Sequence, residues 1–546
     1  MRRIPPAIGP VLALVAMTAP VTPAHAVVPH DAESSAHVTH ARATTSSSRA
    51  RIGLDTASLG TSFVHVSWNW IKAASGYRVQ VSKTKDFSAV VTTQKKRNSS
   101  RRPTGGREAT TVGHLKDASY YWVRVRKVKH GHASRWSAPA RVATRAHAPD
   151  RITGSSGVRG SVPGTTRIRW ASAGGHTDFF KITTALTPFG SKSSPGPGRH
   201  RTTFKASGNR RSLTLTPAMA AEAGAGLGTG NHLFYRITAV RSGVADSKSR
   251  PYRRLMHTTI AGERSTGTGS RLRFGQYNMR IQSHDVPGHL WRDRASLIAK
   301  NIASVHPAVV SLQELLPPMW TSAAGGPGLD QALKNQNAGD YRLTRTTKFA
   351  KTTPGDSRIL YDPNVVQLVS NCDPTTISCL IPMPVPGRTD YASYAEFKDI
   401  DSRQQFYFVS AHLSNGNNAT TDALRGRQAR AIIARMAEIN QQDLPVIFGG
   451  DFNSAQNSKG SDAPHRALLD AGWYNASAAA AQVNLQYNSV NNYVTHEKPS
   501  AYGFGALYDT LMTLHLPPGA DVFKIVRTGK PWPSDHNMVY ADLRLP

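Results

Sequence analysis

Six short stretches in the second half of the chain each set polar side chains at the end of an apolar run. Asn278 closes RLRFGQYN, Gln313 and Glu314 close AVVSLQE, and His412 closes QQFYFVSAH. Asp451 and Asn453 follow LPVIFGG, Asp509 opens DTLMTL, and Ser534-Asp535-His536 lead into MVYADLRL. Carboxylates, an amide and imidazoles are the groups that hold hard cations and move protons. One such residue means little, because a lone Glu after an apolar run is usually a cap or an exposed strand end. Six strand ends carrying Asn, Glu, His or Asp are a different matter, since packed strands hold their ends rigidly.

The elements that must position these residues alternate in kind. RLRFGQYNMRI reads as a strand, and WRDRASLIAKNIASVHP repeats Ala295, Ile298, Ala299 and Ile302 at helical spacing. AVVSLQEL and QQFYFVSAHL read as buried strands, TDALRGRQARAIIARMAEIN as a helix and LPVIFGGDFNS as a further strand. Strands this apolar, flanked by helices, imply sheets covered on both faces.

The first half reads differently. SFVHVSWNW, GYRVQVS and YYWVRVRKV alternate apolar and polar positions, separated by Gly, Ser and Asn, as in an all-β sandwich. After the connecting ATRAHAPDRI, a second set follows with Trp170, DFFKITTA and HLFYRITAVRSG. Neither set carries a nucleophile beside a base. Arg124, Arg126, Lys127 and Lys129 fall on an outward strand face, which fits a solvated face or a polyanion-binding stripe equally well.

Charge separates the halves. Residues 1–270 hold 41 Lys and Arg against 11 Asp and Glu, a balance of +30, while residues 271–546 hold 26 against 23, a balance of +3. The front half is a polycation, and a polyanionic partner or a solubility role follows from that. At the N-terminus, Arg2 and Arg3 precede an apolar stretch ending near Met17 and an Ala24-His25-Ala26 cleavage signal, the pattern of a secretory peptide. A soluble, secreted, extracellular product with no transmembrane anchor is therefore expected. Cys372 and Cys379, seven positions apart, suit one local disulfide in an exported protein.

The ordered set YNMR, SLQEL, SAHL, GGDFNS, YDTL and SDH resembles the endonuclease/exonuclease/phosphatase superfamily, of which deoxyribonuclease I is the familiar type. The resemblance covers residues 272–546. Trp68, Gly76-Tyr77, Leu115 six residues before Tyr121, and SRWSAPARV resemble a fibronectin type III module, and the second set resembles a divergent copy. The fold these resemblances imply is multidomain: two all-β fibronectin type III-like sandwiches followed by a four-layer α/β sandwich, deoxyribonuclease I-like. The boundaries read as 1–26 signal peptide, 27–50 linker, 51–146 and 147–260 β modules, 261–270 linker and 271–546 catalytic domain.

The resemblance also implies roles. Glu314 and Asn278, with Asp535 as a further candidate, would hold Mg2+ or a substitute such as Mn2+ or Ca2+. His536 would be the general base, with Asp509 fixing its tautomer, and His412 would donate to a phosphate oxygen or protonate the leaving group. Asp451 would engage the attacking water or the metal, and Asn453 would donate to a phosphate oxygen. The two glycines before Asp451 would make a tight turn that lets backbone approach a phosphate. Some relatives place a carboxylate partner for the middle histidine near DSRILYDP; Asp356 is the candidate there, and Arg358 could instead bind phosphate. His306-Pro307-Ala308 stands where many relatives have an acid. Tyr487 and Tyr493 could stack on bases or pack their own loop.

A secreted, metal-dependent phosphodiesterase is the implied class, with DNA as the favoured substrate and RNA next, acting as a monomer. Lipid is the second reading, because the Asn-rich NLQYNSVNNYVTHEKPSAYGFG lacks the apolar tip of a membrane wedge. A basic wall- or matrix-binding protein with a relict site is the third.

Overall fold

The computed structural model describes residues 52–57, 60–171, 173–189, 200–223, 232–242, 255–260, 269–321, 325–345, 357–373, 376–457, 462–494, 496–501, 503–516 and 520–546. The signal and linker expectations for residues 1–50, most of the 261–270 linker and Asp356 lie outside the described residues. Chain contacts separate two compact units, Met1–Thr144 and Arg145–Pro546.

In the first unit, alternation of Val64, Val66 and Trp68 with polar residues buries one face of the strand Val64–Asn69. That strand lies between Leu54–Ala57 and Arg107–Val112 in a three-stranded sheet. A five-stranded sheet orders Val90–Arg97, Gly76–Ser82, Tyr120–Lys129 and His132–Ala133, with Ala140–Ala143 also paired to Tyr120–Lys129. Tyr77, Val79, Val81, Tyr121, Val123 and Val125 share one core with Val64, Val66 and Trp68, and the Trp68 ring meets Tyr77 edge-on at 5.1 Å. The Tyr121 hydroxyl accepts from Lys116 N at 2.8 Å, which ties the strand back to the preceding loop.

The second unit contains two further small sheets and two large ones. One small sheet orders Ser212–Leu215, Thr166–Trp170 and Ser155–Arg159; the other orders Thr202–Ser207, Phe179–Ala185, His232–Val240 and Met256–Thr259. The first large sheet orders Arg342–Leu343, Arg358–Tyr361, Val309–Gln313, Arg271–Asn278, Val539–Arg544, Val522–Ile525 and Ala481–Val483. The second orders Val366–Leu368, Arg388–Asp399, Gln405–His412, Val446–Asp451, Asp509–Leu514 and Tyr474–Asn475, and Leu380–Val385 pairs with Arg388–Asp399.

Three apolar clusters explain why these sheets stay together. Phe274, Val309, Val539 and Ala541 of the first sheet pack with Phe406, Phe408, Ile447 and Leu511 of the second. The helix Trp291–Val305 buries Ala295, Ile298, Ala299 and Ile302 against Val310 and Leu312, on the other side of the first sheet. The helix Ala419–Ile439 buries Ala429, Ile432 and Met436 against Val409 and Phe448 of the second. Covered on both sides, these strands bury even their polar residues, with Gln276, Asn278, Ser311, Gln313 and Ser410 buried toward their C-terminal ends.

The small sheets are joined to the large ones by more than chain. Ala185, Phe189, Phe234 and Leu255 lie in the cluster between the large sheets. Gln456 Nε2 donates to Leu186 O at 2.8 Å and His232 O at 3.0 Å, and His232 Nε2 lies 2.8 Å from Ser477 Oγ. The Cys372–Cys379 disulfide closes a loop with Cα atoms 5.2 Å apart. Among the described residues, no helix is long and apolar enough to cross a membrane.

Candidate active site

Strand register brings the sequence-singled residues into two rows. In the second large sheet His412 is directly opposite Asp451, and Asp451 is directly opposite Asp509, so three neighbouring strands end in His, Asp and Asp. In the first large sheet Asn278 is opposite Gln313, with Glu314 one residue beyond. Side chains bridge the two rows: Asn278 Nδ2 donates to Asp451 Oδ2 at 3.0 Å and Gln276 Nε2 donates to Asp509 Oδ1 at 3.1 Å.

The close approach of the sheets depends on Gly449 and Gly450. Both sit inside the strand Val446–Asp451 rather than in a turn, and neither has a positive φ. A Cβ on Gly449 would lie 2.7 Å from Ser311 Cβ on the other sheet, and one on Gly450 would lie 2.6 Å from Ala411 O. The tight-turn expectation is thereby corrected: the glycines remove side chains where strand and sheet press together. Ser311 Oγ uses the space to donate to Gly449 O at 2.8 Å. The positive φ falls two residues later, at Asn453, with φ 47°.

Asp451, Asp509 and His536 form a close polar group. One ligand atom from each lies within 4.8 Å of the others. Asp451 and Asp509 are fully buried. His536 Nδ1 donates to Asp509 Oδ2 at 2.8 Å, which turns Nε2 toward Asp451 Oδ2 at 3.8 Å. His412 Nε2 lies 3.5 Å from the same Asp451 oxygen. Asn453 N donates to Asp451 Oδ1 at 2.9 Å, while Asn453 Nδ2 donates to Leu413 O at 2.9 Å and keeps a second hydrogen.

The electrostatics follow from burial and neighbours. Burial pulls the His536 imidazole down, but the Asp509 charge and hydrogen bond, then Asp451 and Asp535, outweigh it and push the group up to about 10. Burial pushes Asp509 up from the usual carboxylate range, opposed by the His536 charge. The triangle therefore keeps a proton on His536 because two buried acids face it.

Glu314 has φ 62°, and this left-handed turn aims its carboxylate back at the Asn278 strand. Its Oε1 accepts from Asn278 Nδ2 at 3.0 Å and its Oε2 from Ile281 N at 2.7 Å. Asp535 is paired with Arg280, whose own φ is 56°. Arg358 is buried, and its Nε points to Leu315 O at 3.5 Å, beneath the Glu314 turn. Tyr493 stacks on His289 at 3.8 Å with Arg280 5.4 Å above its ring. Tyr487 lies under the Arg527 guanidinium at 3.5 Å.

Sequence reading overlooked three residues at this centre. Gln276 precedes Asn278 by two positions, so strand periodicity alone puts both on one face. Ser489 accepts from Tyr508 N and Asp509 N, both at 3.0 Å, and no local pattern marks it. Arg280 was hidden because an Arg after a strand is ordinarily a surface residue.

The donor set fits a hard divalent cation. The buried carboxylate of Asp451, beside that of Asp509, with Glu314 adjoining through Asn278, supplies oxygen ligands and negative charge.

No protein-family model matches the chain, and no similar curated protein is found. Solved structures are similar over about half of it. An endonuclease/exonuclease/phosphatase from Bacteroides vulgatus shares 18% identity over 51% of this chain and 100% of its own, with a TM-score of 0.39. A mannosyl-6-phosphatase from Bacteroides thetaiotaomicron shares 17% over 50% of this chain and 99% of its own, with a TM-score of 0.39. The catalytic domain of human Nocturnin shares 16% over 50% of this chain and 95% of its own, with a TM-score of 0.36.

Proposed function

We propose that residues 271–546 form a metal-dependent phosphodiesterase that hydrolyses nucleic acid, DNA foremost, outside the cell. The observation that carries this reading is the buried Asp451–Asp509–His536 triangle, bridged by Asn278 to Glu314 across two sheets. In this reading the domain is a four-layer α/β sandwich of the endonuclease/exonuclease/phosphatase kind, and the two preceding β modules are of the fibronectin type III kind.

The bound cation would neutralise charge that grows on phosphoryl oxygens; Glu314, Asn278 and Asp451 are its candidate holders. The chain's own groups do the rest. Asp509 fixes the His536 ring through Nδ1, so that Nε2, once it has lost its own proton, is the atom that takes one from attacking water. Asp451, facing both histidines, orients that water. The free amide hydrogen of Asn453 donates to a phosphate oxygen without adding negative charge. His412 protonates the departing oxygen. The basic front half supplies affinity for the same polyanion.

A parallel assay of DNA, RNA, sphingomyelin and phosphoinositides, each with Mg2+ and with EDTA, tests the reading. DNA cleavage that stops in EDTA supports it. Cleavage undiminished by EDTA removes the metal, and turnover of lipid alone makes the protein a lipid phosphoesterase.

A further inference from the structure

The five-stranded sheet of the first unit carries nine cations and no acid. Its strands hold Arg78, Lys95, Lys96, Arg97, Arg124, Arg126, Lys127, Lys129 and Arg141, and neither Asp nor Glu. Residues 52–144 as a whole hold 17 Lys and Arg against Asp55, Asp86, Glu108 and Asp117. Asp55 and Glu108 belong to the other sheet, and Asp86, in the turn before Val90–Arg97, accepts from Ser88 N and Oγ.

Register concentrates these charges on one face. Arg78 is directly opposite Lys95 on one side and Arg126 on the other, so three like charges stand in a row across neighbouring strands. Strands lie about 4.8 Å apart, and like charges placed so are destabilising. Trp122, directly opposite Arg141, continues the same face, as does Arg97 at the end of the Lys95 strand. Among the described residues, no ion pair joins Arg78, Lys95, Arg97, Arg124, Arg126 or Arg141 to a carboxylate, and Arg126 Nε is buried without a hydrogen-bond partner.

Aromatic rings hold this face in shape. The guanidinium of Arg124 lies 3.9 Å from the Phe87 centroid and 4.6 Å from Trp136, and that of Arg126 lies 4.3 Å from Trp136. Arg124 Nε also donates to Gln80 Oε1 at 2.8 Å, and Arg141 covers the Tyr120 ring at 3.9 Å. Burial first, then repulsion from Arg126, lowers the Arg124 guanidinium from its ordinary value. Stacked guanidiniums lose little freedom on binding an anion. The stacking spends the rings on cations, which leaves phosphate rather than base as the group the face recognises.

We propose that this sheet face is a docking surface for the sugar-phosphate backbone of nucleic acid, binding without sequence preference. Duplex DNA carries one charge per about 1.7 Å of axis, the dense anionic partner that a face of six unpaired cations lacks within its own unit. This deepens the proposed function by assigning its polymer-holding surface, and it rests on nucleic acid being the substrate, not on the hydrolytic step.

The test measures binding of the full chain to a fluorescent DNA duplex in EDTA, between 50 and 200 mM salt, about the range over which phosphate contacts are resolved. The variant combines Arg78→Gln, Lys95→Gln, Arg97→Gln and Arg141→Gln. At about 0.9 of slope per phosphate contact, the slope of log K against log salt falls by up to about 3.6. Hydrolysis of a small chromogenic phosphodiester stays unchanged, so a failure here and a failure of the active-site reading are told apart. An unchanged slope overturns the proposal. So does a variant that keeps DNA binding but loses binding to anionic vesicles or to an anionic wall polymer. If the fourfold variant does not fold, Lys95→Glu alone carries the test, with a slope loss of about 1 expected and none refuting.

Discussion

The second unit should be weakened by acid at a single junction, where the His232 sheet meets the large sheets. His232 Nδ1 lies 2.8 Å from His257 Nε2, and His232 Nε2 lies 2.8 Å from Ser477 Oγ. Phe504 stacks on His257 at 4.6 Å and meets His232 at 4.5 Å, so a proton added to either ring enters an aromatic pocket. Burial pulls His257 down to about 3, and burial, then His257 and His465, pull His232 well below the usual imidazole range.

Both rings are neutral in the folded state and titrate near 6.5 when unfolded. The unfolded chain therefore binds more protons between pH 6.5 and the folded value, and stability present above about 6.5 is lost as pH falls through that window. For His257, going to pH 5 removes about 1.5 units at about 1.4 kcal/mol each, or about 2 kcal/mol. Its edge is partly exposed, and screening there reduces the loss to about 1 kcal/mol. Urea unfolding at pH 7.5 and 5.0, on the parent and on His257→Phe, measures the effect. The variant should lose about 1 kcal/mol less than the parent between the two pH values. Equal losses in the two proteins would refute the reasoning, because the acid sensitivity would then lie elsewhere.

Asp509→Asn should leave the fold intact and cut kcat by about 10^3 to 10^4, since it frees the His536 tautomer. It should also lower the His536 titration, followed by NMR, because the Asp509 charge is the largest influence raising it. Glu314→Gln should raise the metal concentration needed for half-activity at least about tenfold, read from Mg2+ titration of DNA cleavage. Gly450→Ala, whose Cβ would meet Ala411 O at 2.6 Å, should cost about 1–3 kcal/mol in urea unfolding and lower activity by moving the His412 and Asp451 strands apart.

What could be read from the sequence was set by local periodicity. The strands ending at Asn278, Gln313, His412 and Asp451 were legible because apolar runs bounded by polar residues announce themselves. Their neighbours were not. That His412, Asp451 and Asp509 share one row is a matter of register between segments 39 and 58 positions apart, and no local signal encodes it. Gly449 and Gly450 were misread for the same reason, since the atoms that exclude a Cβ belong to Ser311 and Ala411. Asp535, singled out for its place beside His536, pairs with Arg280 across 255 positions, a contact that no local signal encodes.

The same register explains the charge balance at the centre. Burying two carboxylates costs several kcal/mol each unless neighbours compensate. Asn278, Gln276 and the Asn453 amide give hydrogen bonds but no positive charge. The nearest cation is His536 itself, held protonated by the acids that surround it. In the proposed function, a divalent ion would be an alternative counter-charge to that proton. A divalent ion held among the same oxygens would oppose the field that keeps the proton on His536 and would so loosen the hold on the Nε2 proton.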